Sequence, residues 1–208
     1  MPLALRRAFV ALLLLAVPVT ARSQTVCSQL LPIGLLPPAG GFTVGCSRQA
    51  SLRLGAALGP DGNYILLGYP ACASGPCAGQ SGNALLQCAA TSGYVCCVSG
   101  AQMIPTIQGT NVGTFAAGLT QRIANDTDTR AGICYSAYAG NGARLANVPV
   151  IQFIGADRTQ AQVTGFLTVF VVGPPAGSGT ATTVPVEFVD GATPTLDATW
   201  GRLKILYR

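Results

Sequence analysis

No histidine occurs anywhere in the 208 residues, lysine and tryptophan occur once each, and only 9% of residues are charged. Each scarcity excludes something. Without histidine there is no Ser-His-Asp or Cys-His catalysis, and the commonest general base and zinc ligand are gone. With Lys204 as the sole lysine there is no basic run. A nucleic-acid partner is therefore not expected. After the first two dozen residues no apolar run is long enough to cross a bilayer, which needs about 20. The strongest, "VTGFLTVFVVG", has the length of a strand. No nucleophile–base constellation and no cofactor fingerprint is visible, so the expectation is a chain that is not an enzyme and holds no cofactor and no metal.

What is present begins with "MPLALRRAFVALLLLAVPVTARSQ". Arg6 and Arg7 precede an apolar run from Ala8 to Val19, and Ala21 and Ser23 stand at −3 and −1 of a small-residue cleavage pattern. This reads as a signal peptide over 1–23, followed by one domain over 24–208 with no stable membrane span after cleavage. "QTVC" lacks the small residue that precedes a lipidated cysteine. Loss of Arg6, Arg7 and Arg22 leaves nine basic residues against seven acidic ones. The expected destination is export: periplasm, cell surface or extracellular space.

All eight cysteines, Cys27, Cys46, Cys72, Cys77, Cys88, Cys96, Cys97 and Cys134, lie beyond the signal. An even number in an oxidising compartment reads as a disulfide framework, with 105 pairings open for eight cysteines. Local spacing suggests Cys72 with Cys77 and Cys27 with Cys46, leaving the other four for two bridges. Cys96 and Cys97 are adjacent. In a strand they would point to opposite faces and reach different partners. Zinc would want paired cysteines two to four residues apart, twice, or histidine help.

Twenty-six glycines, 14 prolines and Val/Thr/Ile runs between turn signals describe a mainly β, disulfide-stabilised exported domain, a sandwich or barrel-like body. Expected strands are "FTVGC" (42–46), "SLRLGAAL" (51–58), "NYILLGY" (63–69), "ALLQCA" (84–89), "YVCCVS" (94–99), "MIPTIQ" (103–108), "RLANVPVIQFI" (144–154), "QVTGFLTVFVVG" (162–173), "VPVEFV" (184–189) and "RLKILY" (202–207). "AGNGAR" is the clearest hairpin signal. One short helix is expected at about 114–124, capped by Thr114. Phe115, Leu119 and Ile123 share one face, Gln121 points outward, and Gly118 permits close packing on a strand. "GTNVG" before it is a glycine-rich turn and lacks the lysine of a phosphate loop. Asp126 and Asp128 read as a solvated, salt-bridged turn. A calcium set with Asp61 and Asn63 is the sharper alternative.

The order "GPDGNYILL", "TIQGTNVGTFAAGLTQRIANDTD", "YSAYAGNGARLANVPVIQF", "VTGFLTVFVVG" resembles the C-terminal part of TadE/TadG-like pilus-assembly proteins over roughly Gly59 to Gly173. The matching residues are Gly62, Asn63, Gly109, Asn111, Gly113, Gly118, Leu119, Arg122, Ile123, Arg144, Val148, Pro149, Val150, Gly165 and Phe166. The resemblance implies an exported structural or assembly module whose partners are proteins of a pilus or the cell envelope. Gly109, Asn111, Gly113, Arg122, Arg144 and Pro149 are its expected scaffold, with the arginines pairing Asp126, Asp128 or Asp157. Pro149 suits an edge or bulge. The alternative is a secreted binding module for a small ligand, glycan or calcium, which would use exposed aromatics among Tyr64, Tyr69, Tyr135, Tyr138 and Trp200.

Overall fold

The computed structural model describes residues 24–46, 49–55, 62–107 and 111–189, with the backbone of residues 193 and 194. In chain order the elements are β1 (Thr25–Val26), β2 (Ile33–Leu36), β3 (Ala50–Leu54), β4 (Asn63–Leu66), α1 (Gly82–Ser92), β5 (Val98–Ser99), β6 (Met103–Pro105), α2 (Val112–Ala124), β7 (Leu145–Ile154), β8 (Gln160–Val171), β9 (Thr183–Phe188) and β10 (Thr193–Pro194). Short 3-10 turns occupy Tyr135–Ala137 and Gly179–Ala181. The chain is mainly β.

β7 and β8 form the longest strands because their sequences are rich in branched and aromatic residues that fit a pleated surface. They pair antiparallel along their whole length, with a register shift at Val150/Ile151 beside Pro149. Having no N–H, proline disturbs a ladder, and the shift falls where it would. The sheet runs β10-β8-β7-β2-β4-β3-β9, and β9 pairs β8 as well as β3. One flank of β8 is taken by β7. The other serves β6 at Gln160–Gln162, β10 at Gly165–Phe166 and β9 at Val169–Val171. β1 and β5 make a separate two-stranded ribbon.

Several expectations need correction. "ALLQCA" belongs to a second helix, α1, not to a strand. Leu85, Leu86, Ala89 and Ala90 are its buried residues, a spacing that repeats with the helical turn. Gly93, at φ 80°, stops it and donates its N–H to the Ala89 carbonyl. A side chain at Gly93 would also strike the Gln29 backbone. "FTVGC" forms no strand: Val44 makes a single bridge to Phe188, and Gly45 turns away at φ 98°. "YVCCVS" shrinks to Val98–Ser99, with Tyr94 bridging Leu30. "RLKILY" lies outside the described residues.

The predicted helix is α2, beginning after Asn111 rather than at Thr114. Phe115 and Leu119 are fully buried in a core shared with Ile33, Leu35, Leu52, Tyr64, Val169 and Val184. Ile123 packs at the margin of that core, and Gln121 is exposed. Burial of each such apolar side chain contributes about 1.5–3 kcal/mol before ordering costs. Gly118 does permit close packing, but against α1. A Cβ there would lie 2.6 Å from the Gln87 carbonyl oxygen and 2.7 Å from the Ala90 Cβ. The Thr91 hydroxyl donates to the Gly118 carbonyl at 3.2 Å across this contact.

Candidate functional site

The segment after α2 was expected to be a solvated turn. Its two aspartates are instead buried, Asp126 at 5% and Asp128 at 7% exposure. An ionised carboxylate leaves water only where donors replace the lost hydration. Asp126 Oδ1 accepts the Asp128 N–H at 2.8 Å. Its Oδ2 accepts the Tyr138 hydroxyl at 2.6 Å and the Arg144 N–H at 3.3 Å, and lies 3.7 Å from Arg144 Nε. Asp128 accepts from Arg130 Nε at 2.9 Å and Nη2 at 2.7 Å, and from the Ala139 N–H at 3.0 Å. The Arg130 fork, with the Ala139 and Arg130 amides, holds the Asp128 carboxyl far below the usual carboxylate range. Arg130 is pushed up in turn by the same partner.

The buried Arg144 guanidinium reaches three carbonyls as well: Asp128 at 2.8 Å, Arg130 at 3.1 Å and Val172 at 3.5 Å. The Tyr138 hydroxyl also accepts the Gly142 N–H at 2.7 Å. Burial, and then its bond to Asp126, raise the tyrosine's pKa. "AGNGAR" is therefore not a hairpin between strands. Asn141 donates to the Asn125 carbonyl and accepts the Ala143 N–H, folding the loop over the aspartates. Gly140 has no room for a side chain, because a Cβ would strike Asp126 Oδ1 and Tyr138. The cluster is a clasp joining the end of α2 to the start of β7 and the end of β8.

Arg122 sits beside it, 2% exposed, donating from Nη2 to the Leu145 carbonyl at 2.7 Å. Its Nε and Nη1 have no hydrogen-bond partner. Burial lowers its pKa to about 10. Of the pairings expected for the two arginines, Arg144 meets Asp126, while Arg122 meets a strand carbonyl. Asp157 is exposed and bonded to Thr159 in the β7–β8 turn. Asn111 precedes α2 without a side-chain capping bond, and Gly113 is exposed in its first turn. Gly109 lies outside the described residues, as do Asp61 and Trp200 of the calcium and aromatic sets. Asn63 is buried in β4. Tyr64 and Tyr69 are buried, not exposed, and their pKa values are raised by that burial. Tyr135 is exposed, at 37%.

The cysteines pair as Cys27–Cys97, Cys46–Cys134, Cys72–Cys96 and Cys77–Cys88. Neighbouring Cys96 and Cys97 do take different partners, although from a bend rather than a strand. The two pairings suggested by spacing, Cys72–Cys77 and Cys27–Cys46, are overturned. Cys77 is instead carried to Cys88 on α1, the helix that had been expected as a strand. Cys46, Cys134 and Glu187 bring ligand atoms within 4.8 Å of one another, but both sulfurs are bonded together, so no thiolate is offered to a metal.

Two surface features remain. An open pocket of about 470 Å³ is lined by Arg53, Leu54, Gly55, Asn63, Thr180, Ala181 and Thr183. On the far end of the sheet, β6, β8 and β7 lie side by side, with Met103 opposite Gln162 and Gln162 opposite Gln152, and with Pro105, Gln160 and Ile154 in the row two residues on. Period-two alternation puts these six on one face, and the Gln152–Gln162 side-chain bond at 2.8 Å spans it. Met103 and Ile154 are 44% and 40% exposed, and none of the six is charged. Among the described residues no helix is long and apolar enough to cross a membrane. No family model, curated protein or solved structure matches the chain.

Proposed function

We propose that this chain is an exported, non-enzymatic structural or assembly module, similar to TadE/TadG-like pilus-assembly proteins, that works through protein–protein contacts. Residues 1–23 act as its signal, and the partners are proteins of the cell envelope or of a pilus. The pairing of β9 with both β3 and β8 supports a barrel-like reading of the sheet. The uncharged face of Met103, Pro105, Gln152, Ile154, Gln160 and Gln162 carries the reading. Exposed apolar side chains without charges among them mark contact surfaces. Three of the four described carboxylates add support: Asp126, Asp128 and Glu187 are buried and bonded to their own chain, while Asp157 is exposed and bonded to Thr159. Four disulfides suit an oxidising compartment.

The test is photo-crosslinking in the producing cell, with the crosslinker at Met103 or Ile154 and a control at Asp157. The expected result is discrete adducts with envelope proteins from the first two positions and none from the control. Absence of adducts from all three would defeat the contact reading. The pocket at Arg53 favours a second reading, a binding module for a small anionic ligand. Loss of ligand binding in Arg53→Ala, with crosslinking unaffected, would favour that one.

A further inference from the structure

We infer that this protein matures through a thiol–disulfide isomerase, and that oxidation alone does not deliver its native bridges. The inference stands on the order of the bridges; it rests on the proposed export by residues 1–23 and not on the protein–protein contact reading, and the refolding arm below tests it without export. Taken in chain order, the cysteines would join as Cys27–Cys46, Cys72–Cys77, Cys88–Cys96 and Cys97–Cys134. None of these is native. A chain oxidised as it emerges from its N-terminus must therefore have each such bond reopened.

Three native bridges are nested, Cys77–Cys88 inside Cys72–Cys96 inside Cys27–Cys97. The fourth crosses this set, because Cys46 lies within the outer ring and Cys134 beyond it. Cys46 and Cys134 are each brought to their meeting place by β9. The Gly45 N–H donates to the Phe188 carbonyl at 2.9 Å, and the Tyr135 N–H donates to Glu187 Oε2 at 2.8 Å. Their partnership is thus directed by a strand that comes about 50 residues after Cys134. Until β9 is in place, Cys46 is a thiol surrounded by closer, wrong partners.

The adjacent pair adds a second trap. Exchange of partners between Cys96 and Cys97 needs a shift of one residue only. What distinguishes them in the folded state is the side they face: Cys72, the partner of Cys96, is buried, whereas Cys27 and Cys97 are both exposed.

The chemistry balances without further components than these. A disulfide oxidant takes two electrons and two protons for each bridge formed. In the correction, an isomerase thiolate attacks one sulfur of a wrong bridge and forms a mixed disulfide. The released cysteine thiolate attacks elsewhere, and a chain thiolate finally displaces the isomerase, with no net electron transfer.

The test is expression of the full chain in bacteria that export and oxidise proteins, with the periplasmic isomerase present or deleted, followed by peptide mapping of all bridges. Deletion should reduce the species with all four native bridges by at least about fivefold, with Cys27–Cys46 or Cys72–Cys77 appearing among the products. An unchanged native map in the deletion strain would overturn the inference. A parallel arm refolds the reduced, denatured chain. Oxidised glutathione alone should give mixed bridges that purified isomerase converts to the native map. Native pairing with glutathione alone, at equal yield, would overturn it equally. If the chain aggregates in that arm, the cellular arm decides.

Discussion

Replacing Asp126 by alanine should cost this protein about 3–5 kcal/mol, the amount lost when one partner of a buried ion pair is removed. The reasoning starts from what converges on one carboxylate: the Asp128 and Arg144 N–H groups, the Tyr138 hydroxyl and the charged Arg144 side chain. The Asp126 side chain is wholly inaccessible. Alanine leaves those donors without an acceptor and leaves the Arg144 cation with carbonyls only. Each orphaned buried donor costs about 1–3 kcal/mol, and the losses overlap because they share one oxygen pair. For a domain of this size the loss corresponds to a fall of about 6–20 °C in the midpoint of thermal unfolding. The assay is thermal or urea unfolding followed by circular dichroism with the bridges intact. Asp157→Ala, at an exposed turn, is the control and should change stability by less than about 0.5 kcal/mol. Combining Asp126→Ala with Arg144→Met should cost less than the sum of the two, because the second change removes the stranded cation. Equal small losses for Asp126→Ala and Asp157→Ala would refute the buried clasp.

Peptide mapping of the native protein should return Cys27–Cys97, Cys46–Cys134, Cys72–Cys96 and Cys77–Cys88 and no free thiol; a Cys96–Cys97 bond would overturn the pairing. Gly118→Ala should destabilise by about 1–3 kcal/mol, since the Cβ must force α1 from α2, outweighing alanine's advantage of about 1 kcal/mol in helix propensity; a stabilised variant would show that the helices are not in close contact. Acid should weaken the fold through Asp128. Its folded carboxyl resists protonation while the unfolded one takes up a proton near about pH 4, so the stability it supplies is present above that value and declines as pH falls below it. In urea titrations from about pH 6 to about pH 2, Asp128→Asn should flatten that decline, and an unchanged slope would refute the role given to Arg130.

Much of the sheet was legible because β7, β8 and β9 are rich in branched and aromatic residues and lie between glycine-rich turns. α2 was legible for a similar reason: Phe115 and Leu119 recur one turn apart. α1 was not, since "ALLQCA" is an apolar run too short for its period to be told from a strand's. Its helical signal lay in Ala89 and Ala90, one turn beyond Leu85 and Leu86. The clasp was hidden for a different reason. Asp-x-Asp among threonines has the composition of a wet turn, and the residues that bury it, Tyr138, Gly140 and Arg144, come 10 to 18 positions later. Bridge partners were hidden likewise, because Cys46 and Cys134 meet against β9, far along the chain, and the Gln49–Gly132 hydrogen bond beside them leaves no mark in the sequence.

β8 has partners that reach from Met103 to Pro194, and the path of strands returns to it through β9, whose other neighbour, β3, starts at Ala50. No early fragment can make these contacts by itself. Among strands, β2, β3 and β4 pair only with one another until the last third of the chain exists, although Leu66 in β4 already accepts the Ile107 N–H. The apolar interior that holds α2 is thus completed last. A chain built this way closes its main apolar core only when β9 arrives with Val184, Val186 and Phe188. The same delay leaves apolar strands uncovered until then, so a chain stopped short of β9 is prone to associate with its own kind rather than to fold.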